Sequence, residues 1–492
     1  MEQNNRYVHS CKYFFFPKTE EDMISKLTDD VLLLILEKVN LSTAVKTSVL
    51  SKRWRNFPWL LTQLNIDIND FFHDPRADPT DDQIHKAMES LTEVVRSMMA
   101  TTCRKSIITK LCISLFLTNI YSNEIGDIVS EAVENGMVKD IELISGVERL
   151  PFGVLDDEMV KHADGINSFF GNYPKISCCL RSLILYNATF CKSDLHNILA
   201  NTCTELQYLY LYQCDTGIIN PLFKIDAPNS KLNVLEFAYC SWIKVEVACV
   251  PKLEQLTEVD IYSRTVSYQK QPFKLSELLG GSTCITTLTL DFLGQKVNKL
   301  IELLNDLVKT GKYQLRSAFS NLRELWVHGI FVGFGLLWTT ALLEAAPSLE
   351  TLDIEVYDHL CGDDDEEKRI YGERTNAQWD VSEFAESSKS LPLKELKLCG
   401  FNATEEQIIF IGAVMERASN LQAIILKEQY CKDCSAISPP ITSGECRFPS
   451  SEDQQAMVVN NLRNRFSSGA QIIFSHQKKI PVTTQTAWDS CI

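Results

Sequence analysis

The chain has 492 residues, 45% hydrophobic and 23% charged, which is enough apolar material for a large core or for two domains. Its formal charge is −16 with no Lys/Arg cluster to offset it, which argues against nucleic acid as a primary partner. Seventeen cysteines, an odd number spread over the whole length, read as reduced thiols rather than a disulfide framework, and no segment approaches the roughly 20 apolar residues of a membrane span. These features point to a soluble chain of the cytoplasm or nucleus.

Residues 1–22 form a polar lead-in. Its one aromatic run, Tyr13 to Phe16, is broken by Pro17 and is too short for a signal peptide. From 23 to 64 the pattern predicts short helices. Thr28 stands as a helix N-cap, with Asp29 and Asp30 in the first turn where the helix dipole favours negative charge. Val31 to Val39 is almost wholly apolar. Ser42 can cap a second helix carrying Ala44, Val45 and Val49, and Ser51 a third carrying Trp54 and the basic Lys52, Arg53 and Arg55. A unit of about 40 residues barely covers its own apolar surface. The consecutive Val31, Leu32, Leu33, Leu34, Ile35 and Leu36 therefore leave an apolar excess, which marks a protein contact.

Residues 65–104 read as a linker rich in Asp and Pro, then a connecting helix over 83–100 with Ile84, Ala87, Leu91, Val94, Val95 and Met98 at helical spacing. The stretch 105–430 is repetitive. An apolar-x-x-apolar-x-apolar unit recurs as Leu180/Leu183/Leu185, Leu206/Leu209/Leu211 and Leu232/Leu235/Phe237, with the middle leucines 26 residues apart. It continues as Leu256/Val259/Ile261, Ile285/Leu288/Leu290, Leu322/Leu325/Val327, Leu349/Leu352/Ile354, Leu393/Leu396/Leu398 and Leu421/Ile424/Leu426. Weaker copies stand at Ile108/Leu111/Ile113 and Val138/Ile141/Leu143.

A period of roughly 20–29 residues on this pattern is the leucine-rich-repeat signature. Each repeat contributes one short strand with alternate residues turned into the core, and a return segment starts the next, giving a curved parallel sheet. Cys214 and Cys240 fall where the repeat asks for Asn or Cys, so they are expected to be structural. The predicted fold class is α/β: a small three-helix unit followed by a repeat horseshoe, with 431–492 as a tail.

The stretch from Ile24 to Pro58 resembles the F-box of plant proteins: Leu27, Asp29-Asp30, Val31-Leu32, Ile35-Leu36, Leu41, Ala44-Val45, Thr47 to Ser51 and Arg53-Trp54 fall in register. Thr28 stands where that family usually has Pro, a departure that weakens the adaptor contact without removing the helix start. The body resembles plant F-box proteins with leucine-rich repeats and an FBD-like module over 385–430, carried by Leu393 to Leu398, Gly400-Phe401, Glu405-Glu406 and Asn420-Leu421-Gln422. The resemblance implies a substrate-recognition subunit of a Skp–cullin–F-box ubiquitin ligase. Leu27, Thr28, Val31, Leu32, Ile35, Leu36, Val45, Val49 and Trp54 would bind the Skp-type adaptor, which bridges to a cullin and a RING subunit. The alternative is a repeat scaffold with a degenerate F-box and no ligase coupling.

No nucleophile elbow, phosphate loop or metalloprotease pair occurs, so no catalytic residue and no cofactor are expected. Cys431, Cys434 and Cys446 are the best metal candidates, but they lack a nearby fourth ligand and read as free thiols. Outward strand positions on the concave face include Tyr186, Tyr210, Tyr212, Tyr262 and Trp326, residue types that anchor interfaces. They are expected to hold a protein target, a peptide degron or a small ligand, unless the rings pack on neighbouring strands.

Overall fold

The computed structural model describes residues 24–72, 79–117, 120–147, 156–190, 194–216, 222–259, 285–291, 316–331, 336–357, 390–428 and 448–476, less 25, 101–103, 105, 241–243 and 318. The first unit consists of α1 (Asp29–Leu36), α2 (Leu41–Thr47) and a 3-10 helix (Trp54–Trp59). Thr28 holds the N-cap position with extended backbone, but its side chain makes no capping bond. The expected Ser42 cap is corrected as well: Asn40 Oδ1 accepts the Thr43 N–H at 2.9 Å, so α2 begins two residues earlier. Ser51 behaves as expected, accepting the Trp54 N–H at 3.4 Å. The connecting helix is α3 (Asp81–Met99), opened by a Thr80–Gln83 capping box, and it buries Ala87, Leu91, Val95 and Met98.

Among the described residues the body is one thirteen-stranded sheet in which neighbouring strands pair in parallel. Its strands are β1 (Gln63–Asp67), β2 (Ile108–Leu115), β3 (Val138–Ser145), β4 (Leu180–Tyr186), β5 (Tyr208–Tyr212), β7 (Val234–Ala238), β9 (Gln255–Val259) and β10 (Thr287–Asp291). The ladder continues through β11 (Glu324–Phe331), β12 (Thr351–Tyr357), β13 (Glu395–Cys399), β14 (Ala423–Lys427) and β15 (Gln471–Ser475). The register lines up Leu183, Leu209, Leu235, Leu256, Leu288, Leu325, Leu352, Leu396 and Ile424 in one row, all fully buried. That is the horseshoe the repeat spacing predicts. Helices such as α4 (Ile120–Glu134), α5 (Asp156–Asn172) and α6 (Pro174–Cys179) carry the chain back. A second parallel pair, β6 (Leu222–Asp226) with β8 (Lys244–Ala248), does so in the middle of the body, sending Phe223 and Ile225 into the core.

Three expectations are corrected. Leu256, not Val259, aligns with Leu235 and Leu288, because Leu253 fills the preceding core position; Val259 instead aligns with the outward Ala238 and Asp291. A bulge between Ile141 and Glu142 brings Leu143 rather than Ile141 beside Leu183, and leaves Ser145 facing Leu185. The repeat sheet also exceeds the expected 105–430 at both ends. β1 joins it from the edge of the helical unit, and β15, preceded by a helix over Glu452–Arg465, lies in the stretch expected to be a tail. The helical unit has no core of its own: Leu32, Leu36, Trp54 and Leu61 belong to the same buried cluster as the repeat leucines.

The strand ends share a turn. Asn187, Gln213 and Tyr239 each follow a strand with positive φ, 52°, 50° and 54°. The Cys214 thiol then faces the carbonyls of Leu185 and Tyr212 at 3.6 and 3.5 Å, and Cys240 those of Leu211 and Ala238 at 3.3 and 3.5 Å. Both thiols thus tie one repeat's carbonyl to its own, a structural role as expected.

Candidate interaction surfaces

The apolar excess of the helical unit divides by helical geometry, because side chains three to four residues apart share a face. Leu32, Leu36 and Ala44 point inward and are buried, as is Trp54, which packs at 5.7 Å on Phe57. Leu27 and Val45 are partly buried against the same core. Val31, Leu34 and Ile35 lie on the other side of α1, 40%, 62% and 45% exposed, and Val49 is 84% exposed with Leu50 beside it. Among the described residues twelve large hydrophobic side chains are exposed, and eight of them lie between Ile24 and Leu60. Of the nine residues expected to meet an adaptor, Leu32, Leu36 and Trp54 are therefore core supports, while Val31, Ile35 and Val49 remain open to a partner. Leu34, Val39 and Leu50 share that exposure and were not among the nine.

Arg53 fixes the start of this face. Its Nε donates to Asp29 Oδ1 at 2.7 Å and its Nη2 to the Leu27 carbonyl at 2.6 Å, so the 3-10 helix holds the N-terminus of α1 where no Thr28 cap does. The stretch Ile24–Leu60 carries six Lys/Arg against three Asp/Glu, a basic surface on an acidic chain.

The concave face presents the outward strand positions. Tyr186 and Tyr212 are buried there at 4% exposure, in a small cluster with Ile184 and Ala238 that Tyr208, Tyr210 and Tyr239 flank. The rings touch each other, Tyr186–Tyr212 at 5.4 Å and Tyr186–Tyr210 at 6.2 Å. Tyr186 and Tyr212 thus form the aromatic floor, and Tyr210 is the more open ring. Tyr262 lies outside the described residues. Trp326, 36% exposed, stands on β11 beside His328 at 5.7 Å. Around it lie Asp291, Glu324, Asp353 and Glu355, with His328 Nε2 3.7 Å from Asp353 Oδ1 and Nδ1 3.6 Å from Glu355 Oε2.

Among the described residues no group of three or more His, Cys, Asp or Glu could hold a metal ion, and no helix is long and apolar enough to cross a membrane. Cys431, Cys434 and Cys446 lie outside the described residues. Burial pushes the thiols of Cys112, Cys179, Cys203 and Cys399 up, so none of these four is a poised nucleophile.

Comparison with known proteins agrees with this architecture. The family model of the At1g61320/AtMIF1 LRR domain matches residues 166–461, more than half of the chain. The chain belongs to this leucine-rich-repeat family. The F-box domain model matches residues 24–57, the helical unit with its exposed apolar face, so this family member carries an F-box ahead of its repeats. Similar curated proteins include the F-box/FBD/LRR-repeat protein At2g04230 of Arabidopsis thaliana, 47% identical over 62 residues, and the F-box/FBD/LRR-repeat protein At1g80470 of the same plant, 48% identical over 56 residues. The matched stretches cover 12% and 11% of this chain, and only 14% and 12% of those relatives' own lengths. A similar solved structure is that of the leucine-rich repeat-containing protein LegL7 from Legionella pneumophila, 14% identical with a TM-score of 0.35, covering 76% of this chain and 95% of that one. Neither matched family model describes an enzyme.

Proposed function

We propose that this chain is the substrate-recognition subunit of a Skp–cullin–F-box ubiquitin ligase, acting in the cytoplasm or nucleus. The F-box binds a Skp-type adaptor, the adaptor joins it to a cullin and a RING subunit, and the repeat sheet holds the protein to be ubiquitinated. Such a subunit needs no catalytic residue or cofactor, because it raises the target's local concentration at a remote active centre. The observation that carries the reading is the concentration of exposed apolar side chains on the matched F-box: of the twelve exposed large hydrophobic residues among those described, eight lie between Ile24 and Leu60, Val31, Leu34, Ile35, Val49 and Leu50 among them. The basic residues beside that face suit an acidic adaptor.

A second reading, a repeat scaffold without ligase coupling, draws on Thr28, whose side chain neither caps α1 nor supplies the proline usual there. Co-expression with a Skp-type adaptor and a cullin separates the two. Recovery of all three in one stoichiometric peak supports the receptor, and a chain that elutes without the adaptor supports the scaffold.

A further inference from the structure

The middle row of outward residues can be followed across the concave face by strand register. It runs Ile184, Tyr210, Glu236, Thr257, Thr289, Trp326, Asp353 and then Lys397. Twice in this row an aromatic ring stands directly beside a carboxylate, Tyr210 with Glu236 and Trp326 with Asp353, and two threonines separate the pairs. The two threonines are shorter than the residues on either side, so the row carries a ring beside an acid at two points with low side chains between them.

Glu236 is the informative member. It is drawn into the aromatic floor, and its Oε2 accepts the Tyr208 hydroxyl at 2.7 Å. Among the described residues no Lys, Arg or His pairs with it. Burial pushes its carboxyl up, more than the Tyr208 bond lowers it, as expected for an acid without a counter-ion. A cation arriving beside it would gain both a carboxylate and the π-face of Tyr210. At the other end Trp326 is 36% exposed on a surface where Asp291, Glu324, Asp353 and Glu355 outnumber His328 and Lys397.

We propose that this face binds a basic segment of the target, seating one lysine or arginine between Tyr210 and Glu236 and a second against Trp326. The inference rests on the reading above that the repeats hold the target, and it names the chemistry of what they hold. Neighbouring strands lie ~4.8 Å apart, so Glu236 and Trp326, three strands from each other, are separated by roughly 14 Å. An extended chain advances ~3.3–3.6 Å per residue, which places the two cations about four residues apart.

The test uses the full chain, alone and with a Skp-type adaptor, and fluorescence anisotropy in about 0.15 M salt. The probe is a labelled Gly/Ser peptide with two arginines four residues apart. Its comparators carry the arginines side by side, or two glutamates. The spaced arginine peptide should bind best and the glutamate peptide not at all. Glu236→Gln and Trp326→Ala should each weaken binding about five-fold or more, the scale of a cation–π contact with its charge partner. Glu452→Gln, the same charge change on the helix before β15, controls for general attraction to an acidic protein and should leave affinity unchanged.

A Glu236→Gln loss no larger than that of Glu452→Gln, or equal binding of the adjacent-arginine peptide, overturns the two-point site. An unchanged melting temperature of Glu236→Gln keeps its result interpretable. A chain that binds the peptide but not the adaptor leaves the site standing and removes the ligase reading. A chain that binds the adaptor but not the peptide does the reverse.

Discussion

Glu37 and Thr62 are joined twice: Glu37 Oε1 accepts the Thr62 N–H at 3.1 Å and the Thr62 hydroxyl at 2.7 Å. Thr62 in turn gives its carbonyl to the Thr109 N–H at 2.8 Å, at the threshold of β2. The end of the first F-box helix is thereby tied to the opening strands of the sheet. Arg104 repeats the connection from below. Buried at 4% exposure, it donates to the carbonyls of Met98 at 2.9 Å, Leu61 at 2.7 Å and Pro58 at 3.2 Å. The F-box is thereby packed and hydrogen-bonded against the start of the repeat body.

Arg104→Met is expected to uncouple them. Burial lowers the guanidinium pKa to about 10, still far above neutrality, so the native residue is a cation held by three carbonyls. Its removal leaves those acceptors buried and unpaired, at a cost of about 3 kcal/mol. Urea unfolding measures the loss. Arg104→Lys should recover only part of it, because an ammonium cannot match the planar fork.

The two sides of α1 should respond oppositely to a carboxylate. Ile35→Asp falls on the exposed face and should abolish adaptor pull-down while the melting temperature stays near that of the wild type. Leu36→Asp falls in the core at 2% exposure and should unfold the F-box, because an unpaired buried charge costs several kcal/mol. Circular dichroism melts beside the pull-down distinguish the two outcomes. Retained adaptor binding by Ile35→Asp would place the interface elsewhere.

Leu209 has no exposed surface and sits in the leucine row between Leu183 and Leu235. Leu209→Ala should cost about 2–5 kcal/mol by opening a cavity, read from the shift of the chemical unfolding midpoint.

Gly412 lies in the helix Glu405–Arg417, and a Cβ there would run into the Phe466 ring. Alanine normally stabilises a helix interior by up to about 1 kcal/mol over glycine. Here the displaced ring should reverse the sign, with a net loss of about 1–3 kcal/mol from overpacking. Faster hydrogen exchange over 452–475, with the rest of the sheet unchanged, is the expected observation.

His328 gives the body a pH dependence. Burial by itself lowers the imidazole pKa, but the attraction of Asp353, Glu355 and Asp291 outweighs it, and the net shift is above the ordinary 6.5. At 3.7 Å the Asp353 contact is too long for a hydrogen bond, so the attraction is of charge for charge. A folded-state pKa raised above the unfolded one stabilises the fold fully below about pH 6.5, and the gain disappears as pH rises through the folded pKa. The stability difference between wild type and His328→Gln should therefore be largest near pH 6 and fade towards pH 9, by thermal melts in constant salt. A difference that grows with pH would reverse the assignment.

Periodicity alone determined the parallel repeat sheet and most of its core. A leucine row placed every repeat is set by the strand's two-residue alternation, and that alternation is local. The F-box helices were legible for the same reason, together with a family pattern that Ile24 to Pro58 carries residue by residue. What the sequence left open was set by contacts between distant segments. Nothing local distinguishes Leu256 from Val259 as the core position until Leu235 and Leu288 stand on either side. Leu32 and Ile35 look alike in a run of aliphatic residues, and only packing against the repeats separates the buried one from the exposed one. The tyrosines of β4 and β5 face outward as alternation requires, yet Tyr186 and Tyr212 are covered by each other's rings, a burial that depends on two strands 26 residues apart in the chain meeting in register.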